Sequence, residues 1–168
     1  ARREARRSPT GDFIPLAEQD TAHWSVERIA LARQALDRAG RQARPGRFQL
    51  EAAIQSIPVH RIETGTTDWH AICLLYEGLL RLAPTMGARL AQIAALARAC
   101  SPSAAWPLLE AIHQAACRDH QPYWTLRAHL LQQQGRYSEA REACARAIGL
   151  STDEASRQFL VRQLAALG

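Results

Sequence analysis

The chain has no lysine: all 21 of its basic residues are arginine, set against 16 acidic ones, for a net charge of +5. It has a single methionine and only 6% aromatic residues. It also lacks any apolar run approaching the ~20 residues that a membrane-spanning helix needs. Its first seven residues, Ala1-Arg2-Arg3-Glu4-Ala5-Arg6-Arg7, contain no apolar stretch of the signal-peptide kind. A cytoplasmic protein with no membrane partner is therefore expected. No alternating β-rich segment occurs, so strands are not expected. Serine, histidine and acidic residues are all present, but no Gly-x-Ser-x-Gly elbow or other nucleophile signature accompanies them, and no glycine loop could cradle a phosphate. Catalytic residues: none are expected.

The arginines could serve a nucleic-acid surface only if they formed a stripe or patch with stacking aromatics beside it. They are instead scattered along helix-like segments beside Glu and Asp, a bias that a GC-rich genome explains as well as a selected surface does. Four of them crowd into the first seven residues, and that run reads as a solvated chain end rather than a phosphate contact. The four cysteines, Cys73, Cys100, Cys117 and Cys144, have no paired spacing and read as small buried hydrophobes. His113 and Cys117 lie one helical turn apart and Cys117-x-x-His120 has a ligand-like spacing, but zinc needs two more convergent ligands and no second close pair exists. No metal and no cofactor is expected.

What remains is helix. A length of 168 residues and 47% hydrophobic content suit one domain with a real core, or two small packed lobes. The whole chain, 1–168, is read as a single helical domain: an irregular lead-in over 1–22, N-terminal helices over 23–100, and C-terminal helices over 101–168. From Trp24 the apolar residues Ile29, Leu31, Ala32 and Leu36 recur at helical spacing until Gly40. Phe48 to Ile57 makes a second short helix, with Pro58 near its end. Asp68 offers a cap to a helix from Trp69 that should stop before Pro84. A further helix covers about 85–99. Ser101-Pro102 opens another, expected to run towards Cys117 with Pro107 inside its first turns. Helices over about 122–134 and 138–149 follow, and Ser151-Thr152-Asp153-Glu154 looks like a capping box for a last helix through Phe159, Leu160 and Leu164. The sum is about eight helices in an all-α, helical-hairpin or solenoid layout.

One spacing within it is informative. Gly135-x-Tyr137-x-x-Ala140, followed by Cys144, Ala147 and Leu150, resembles the second half of a tetratricopeptide repeat, with Trp124 and Leu131 at earlier repeat positions. Gly135 would allow a tight turn, Tyr137 would wedge between the paired helices, Ala140 and Ala147 would let them approach closely, and Cys144 would fill a medium slot. Arg127 and Ala128 stand where the repeat usually has Leu-Gly. Tyr76, Leu79 and Pro84 fit an earlier partial copy, in which Leu79 is too large for the small-residue slot.

Longer phrases add a family resemblance. Ile14-Pro15-Leu16-Ala17-Glu18-Gln19-Asp20 with Trp24 is one, and Phe48-Gln49-Leu50-Glu51-Ala52-Ala53-Ile54 and Thr67-Asp68-Trp69-x-x-Ile72-x-x-Leu75-Tyr76 are others. With Gly135-Arg136-x-x-Glu139-Ala140 and Glu154-Ala155-x-x-Gln158-Phe159-Leu160, they resemble, in order and spacing, the tetratricopeptide-containing C-terminal extension of bacterial extracytoplasmic-function sigma factors. The likeness runs from about residue 1 to 167. Where relatives have an Asn-Arg pair after the proline, this chain has Ala88-Arg89. The resemblance implies a protein-interaction or regulatory domain in transcription initiation, its partner being the sigma factor's own regions, RNA polymerase, or a small YCII-related companion protein. DNA would be touched only through sigma regions two and four, which are absent here, so the chain is expected to be a piece of a longer polypeptide. A free-standing tetratricopeptide scaffold unrelated to transcription is the alternative. The polar cluster Glu18, Gln19, Asp20 and Trp24 is a candidate partner contact, although Asp20 as a helix cap and Trp24 as a packing anchor is the favoured explanation, cap signals being common.

Overall fold

Stop signals are frequent in this sequence, and the helices are correspondingly short. The computed structural model describes residues 1–2, 4–42 and 45–167; Arg3, part of the N-terminal arginine run, lies outside the described residues. Among the described residues there are eight α-helices of nine residues or more and no β-strand, the all-α architecture expected. Ser25 caps α1 (Val26–Gly40) by accepting from the Arg28 N–H. α2 (Arg47–Ser56) gives way to a 3₁₀ turn containing Pro58, and then to the single-turn α3 (Arg61–Thr64), closed by Gly65 at φ +72°. Asp68 caps α4 (Trp69–Leu82), which ends before Pro84. Thr85 accepts from Ala88 at the start of α5 (Met86–Ala99), and Ser101 from Ala104 at the start of α6 (Pro102–Glu110). The single-turn α7 (Gln114–Cys117) precedes α8 (Gln121–Gln133), α9 (Tyr137–Gly149) and α10 (Glu154–Ala165).

Two local expectations are corrected. The helix from Pro102 does not reach Cys117. Pro107 has no N–H to continue the ladder, and the helix closes soon after, with Ala111 N–H on the Pro107 carbonyl and Ile112 N–H on that of Leu109. Ser151 does not cap the last helix. Its side chain is buried and donates to the Asp153 carbonyl, while the Asp153 carboxylate accepts from the Ser156 N–H at 2.8 Å and is the cap.

The helices gather into two compact units, one of Ala1–Ser8 with Ile14–Gln92, the other of Pro9–Phe13 with Ile93–Gly168, the division falling inside α5. In the first unit α2 packs against α1 and α4. Beside them Ala5, Trp24, Ile29 and Val59 form a buried cluster with Leu16 against it. Trp24 has an arginine over its ring on two counts, Arg2 at 5.5 Å and Arg61 at 5.3 Å from the centroid. The N-terminal run is therefore not simply a solvated end: Ala5 is in the core and Arg2 also donates to Gln55 Oε1. Arg61 does more than stack. Its guanidinium donates to the backbone carbonyls of Leu16 (3.0 Å), Ala17 (3.1 Å) and Gln19 (2.7 Å), which pins the lead-in to the unit.

In the second unit α8 packs along α9, and α9 along α10. Ala128, Leu131, Ala140, Ala143, Cys144, Ala147, Leu160 and Leu167 are its buried cluster, with Trp106 and Trp124 packed against it. Cys144 donates its S–H to the Leu160 carbonyl at 3.4 Å, and burial pushes its thiol pKa up. The α8–α9 turn is a Schellman closure: Arg136 N–H meets the Leu131 carbonyl at 2.9 Å, Gly135 N–H meets that of Gln132 at 3.0 Å, and Gly135 sits at φ +74°.

Substitutions at two positions test these anchors. A Cβ on Gly135 would meet nothing within 4 Å, so the cost of Gly135→Ala is conformational, roughly 1–2 kcal/mol. Gly135→Asn should lose distinctly less in the same urea titration, because asparagine tolerates the left-handed region. Arg61→Lys keeps the charge but not the fork that reaches three carbonyls, and should cost about 1–3 kcal/mol by denaturation. Equal stability of the lysine variant would show the fork to be dispensable.

Candidate functional site

The polar cluster near the start of the chain is split by the fold. Gln19 and Trp24 face inward at 8% and 3% exposure, whereas Glu18 and Asp20 are exposed. Gln19 donates to the Ile14 carbonyl, and Asp20 caps the 3₁₀ turn Thr21–His23 through the Ala22 N–H. Gln19, Asp20 and Trp24 therefore hold the lead-in together, and the four residues do not make one surface. Trp24 Nε1 and Gln19 Oε1 are buried with no partner among the described residues.

Of the residues expected at repeat-packing positions, Leu131, Ala140, Cys144 and Ala147 lie in the second unit's buried cluster, with Trp124 against it and Gly135 at the turn. Tyr137 is the exception. The expected wedge is 53% exposed, because it is the first residue of α9 and the space between α8 and α9 is already filled by Leu131 against small side chains.

The same unit carries a groove of about 940 Å³. One wall is the end of α6 and the bend after it (Glu110, Ile112, His113). Another is the first turns of α8 (Tyr123, Trp124, Arg127), and a third is one face of α9 (Glu139, Glu142, Ala143, Arg146). The spacing 139, 142, 143, 146 is the three- and four-residue recurrence that places side chains on one helix face. Its size is in the range of ligand and peptide clefts.

The groove's arginines are largely committed. Arg127 lies over the Trp106 ring at 4.8 Å and donates to the Tyr123 hydroxyl at 3.3 Å. Arg146 stacks on Trp124 and reaches the Arg118 carbonyl and the Asp119 carboxylate. Arg118 also meets Asp119, at 3.7 Å. Arg136, just outside, also lies over the Trp106 ring at 4.6 Å and grips Glu139 with two hydrogen bonds, which hold the Glu139 carboxyl below the usual range. Arg136 and Glu139 stood out in the sequence only within the family phrase Gly135-Arg136-x-x-Glu139-Ala140, and Arg118 and Arg146 not at all. Arg127 was visible only as a departure from the repeat, and the face of α9 only as its helical spacing.

No group of three or more His, Cys, Asp and Glu side chains is arranged to hold a metal ion among the described residues, and no helix among them is long and apolar enough to cross a membrane.

Comparison with known proteins adds three findings. Residues 1–40 match a family of unknown function, DUF6596. An uncharacterized protein of Rhizobium meliloti (strain 1021) is 35% identical over 164 residues, covering 98% of this chain and 38% of that protein. The chain thus spans well under half the length of the curated relative it matches. No solved structure matches it.

A titration follows from α8. Burial, and after it the Arg98 charge, hold the His129 imidazole below its ordinary 6.5. The unfolded chain then takes up a proton that the folded chain refuses, so stability is full above that value and falls as the pH drops below it. Melting temperature should decline between about pH 7 and about pH 5, and His129→Gln should flatten the decline. An unchanged slope in the variant would assign the effect elsewhere.

Proposed function

We propose that this chain is the protein-interaction, regulatory C-terminal part of an extracytoplasmic-function sigma factor, acting in transcription initiation in the cytoplasm and carrying no catalytic chemistry of its own. The observation that carries the reading is the ordered set of phrases from Ile14 to Leu160 that resembles such an extension. Two findings are compatible with it. The Rhizobium relative is much longer than the match, which leaves room for the polymerase- and promoter-binding regions. The second unit has the form of a docking module, a helical hairpin with an adjoining groove. On this reading the partners are proteins, whether the sigma factor's own regions, the polymerase or a small companion protein, and promoter DNA is met only through residues outside this chain.

The test uses the full-length protein with and without residues 1–168, measured for binding to core RNA polymerase and for promoter-dependent transcription. Loss of transcription with polymerase binding retained is expected. Unchanged transcription after the deletion would overturn the regulatory reading, as would a full-length sequence without the two upstream regions, which would leave a free-standing helical scaffold.

A further inference from the structure

The groove of the second unit is unevenly supplied with charge, and the imbalance indicates what fits it. By count its lining is neutral, with Glu110, Glu139 and Glu142 facing Arg118, Arg127 and Arg146. By availability it is not. Arg118 and Arg146 share Asp119, Arg146 also lies on Trp124, and Arg127 is held between the Trp106 ring and the Tyr123 hydroxyl. Glu139 is taken up by Arg136. Glu110 and Glu142 are exposed and make no ion pair or hydrogen bond among the described residues, although the charge of Glu110 is felt by Arg136, whose hydrogen bonds go to Glu139. The groove also takes in Glu110 and Ala111 at the C-terminal end of α6, the negative pole of that helix's backbone. Two available carboxylates and a helix's negative end thus open onto one cleft whose cations are occupied. Its remaining lining is Ile112, His113, Cys117, Tyr123, Trp124 and Ala143, and the half-buried Trp124 among them suits an apolar side chain next to a basic one.

We propose that this groove docks a short segment of a separate protein that presents an arginine or lysine beside an apolar residue, the basic group meeting Glu110 and Glu142. The inference rests on the reading of the chain as a protein-docking domain and supplies the chemistry of the partner. Complementary charge at such a rim selects the partner and its register, while the apolar contact supplies the desolvated centre.

The experiment measures binding of the 168-residue chain, and of the full-length protein, to two pools of short fluorescein-labelled peptides by polarisation. One pool has arginine and leucine fixed side by side, the other glutamate and leucine. Binding of the arginine pool by both proteins, weakened about tenfold or more in Glu110→Gln/Glu142→Gln and by added salt, is the expected result. Both positions are exposed, so circular dichroism should show the variant folded, and Glu27→Gln in α1 serves as a control that leaves affinity unchanged. Preference for the glutamate pool, no binding of either pool, or equal affinity in the double variant would overturn the proposal. So would binding by the 168-residue chain that is lost in the full-length protein, since the groove would then belong to the protein's own remaining residues. None of these outcomes bears on the transcription assay, so failure of this inference and failure of the sigma-factor reading are told apart.

Discussion

Backbone carbonyls left over at the ends of short helices and turns are the constraint that this structure has to satisfy, and arginine satisfies many of them. A helix of about a dozen residues leaves its last four carbonyls without an internal partner, a large share of its total. Arg61 takes three carbonyls of the lead-in; Arg146 takes that of Arg118, Arg157 that of Ser151, and Arg141 that of Leu167. Each acceptor lies in a segment between or beyond regular helices. A guanidinium reaches such groups with several donors fixed in one plane and keeps its flat face free. That face is used as well: Arg2 and Arg61 lie over Trp24, Arg127 and Arg136 over Trp106, and Arg146 over Trp124. A lysine ammonium could do one of these things at a time.

Within the second unit the complementary device is small side chains. Ala140, Ala143 and Ala147 on α9 are almost fully buried, as is Leu131 on α8, so two backbones come close with little side-chain volume between them. Close approach has two effects. It leaves no room for Tyr137 between the helices, and it turns the longer residues of the same helices, Arg127, Glu139, Glu142 and Arg146, out towards the groove. Packing and surface chemistry are therefore set by the same choice of side-chain size.

The helices were legible in the sequence because their signals are local. Asp68, Ser101, Pro84, Gly135 and the three- and four-residue apolar spacing all act within a turn or two of where they stand. What was not legible depends on partners distant in sequence. Ser151 carries a capping signature, but the burial of its hydroxyl leaves the cap to Asp153. Periodicity alone continued α6 to Cys117, whereas the chain turns after Ala111 and buries Ile112. Trp24 was identified as an anchor, but its two arginines come from residues 2 and 61 and no spacing announces them. The groove was missed for the same reason: it joins the end of α6 to faces of α8 and α9, and only the α9 face has a periodic trace in the sequence.

This internal use of arginine changes what the net charge of +5 says about partners. Polyanion binding depends on cations arranged together and free to exchange counterions for phosphate. Here the guanidinium groups nearest to Trp24, Trp106 and Trp124, three of the four tryptophan rings a single strand could stack on, already lie on those rings themselves. Others are paired with neighbouring carboxylates, as Arg33 is with Glu63 and Arg162 with Asp12. Where the arginines are committed in this way, the local surface is decided by the groups without partners. In the groove of the second unit those groups are the carboxylates of Glu110 and Glu142, so a chain that is basic as a whole offers this docking surface to a cation.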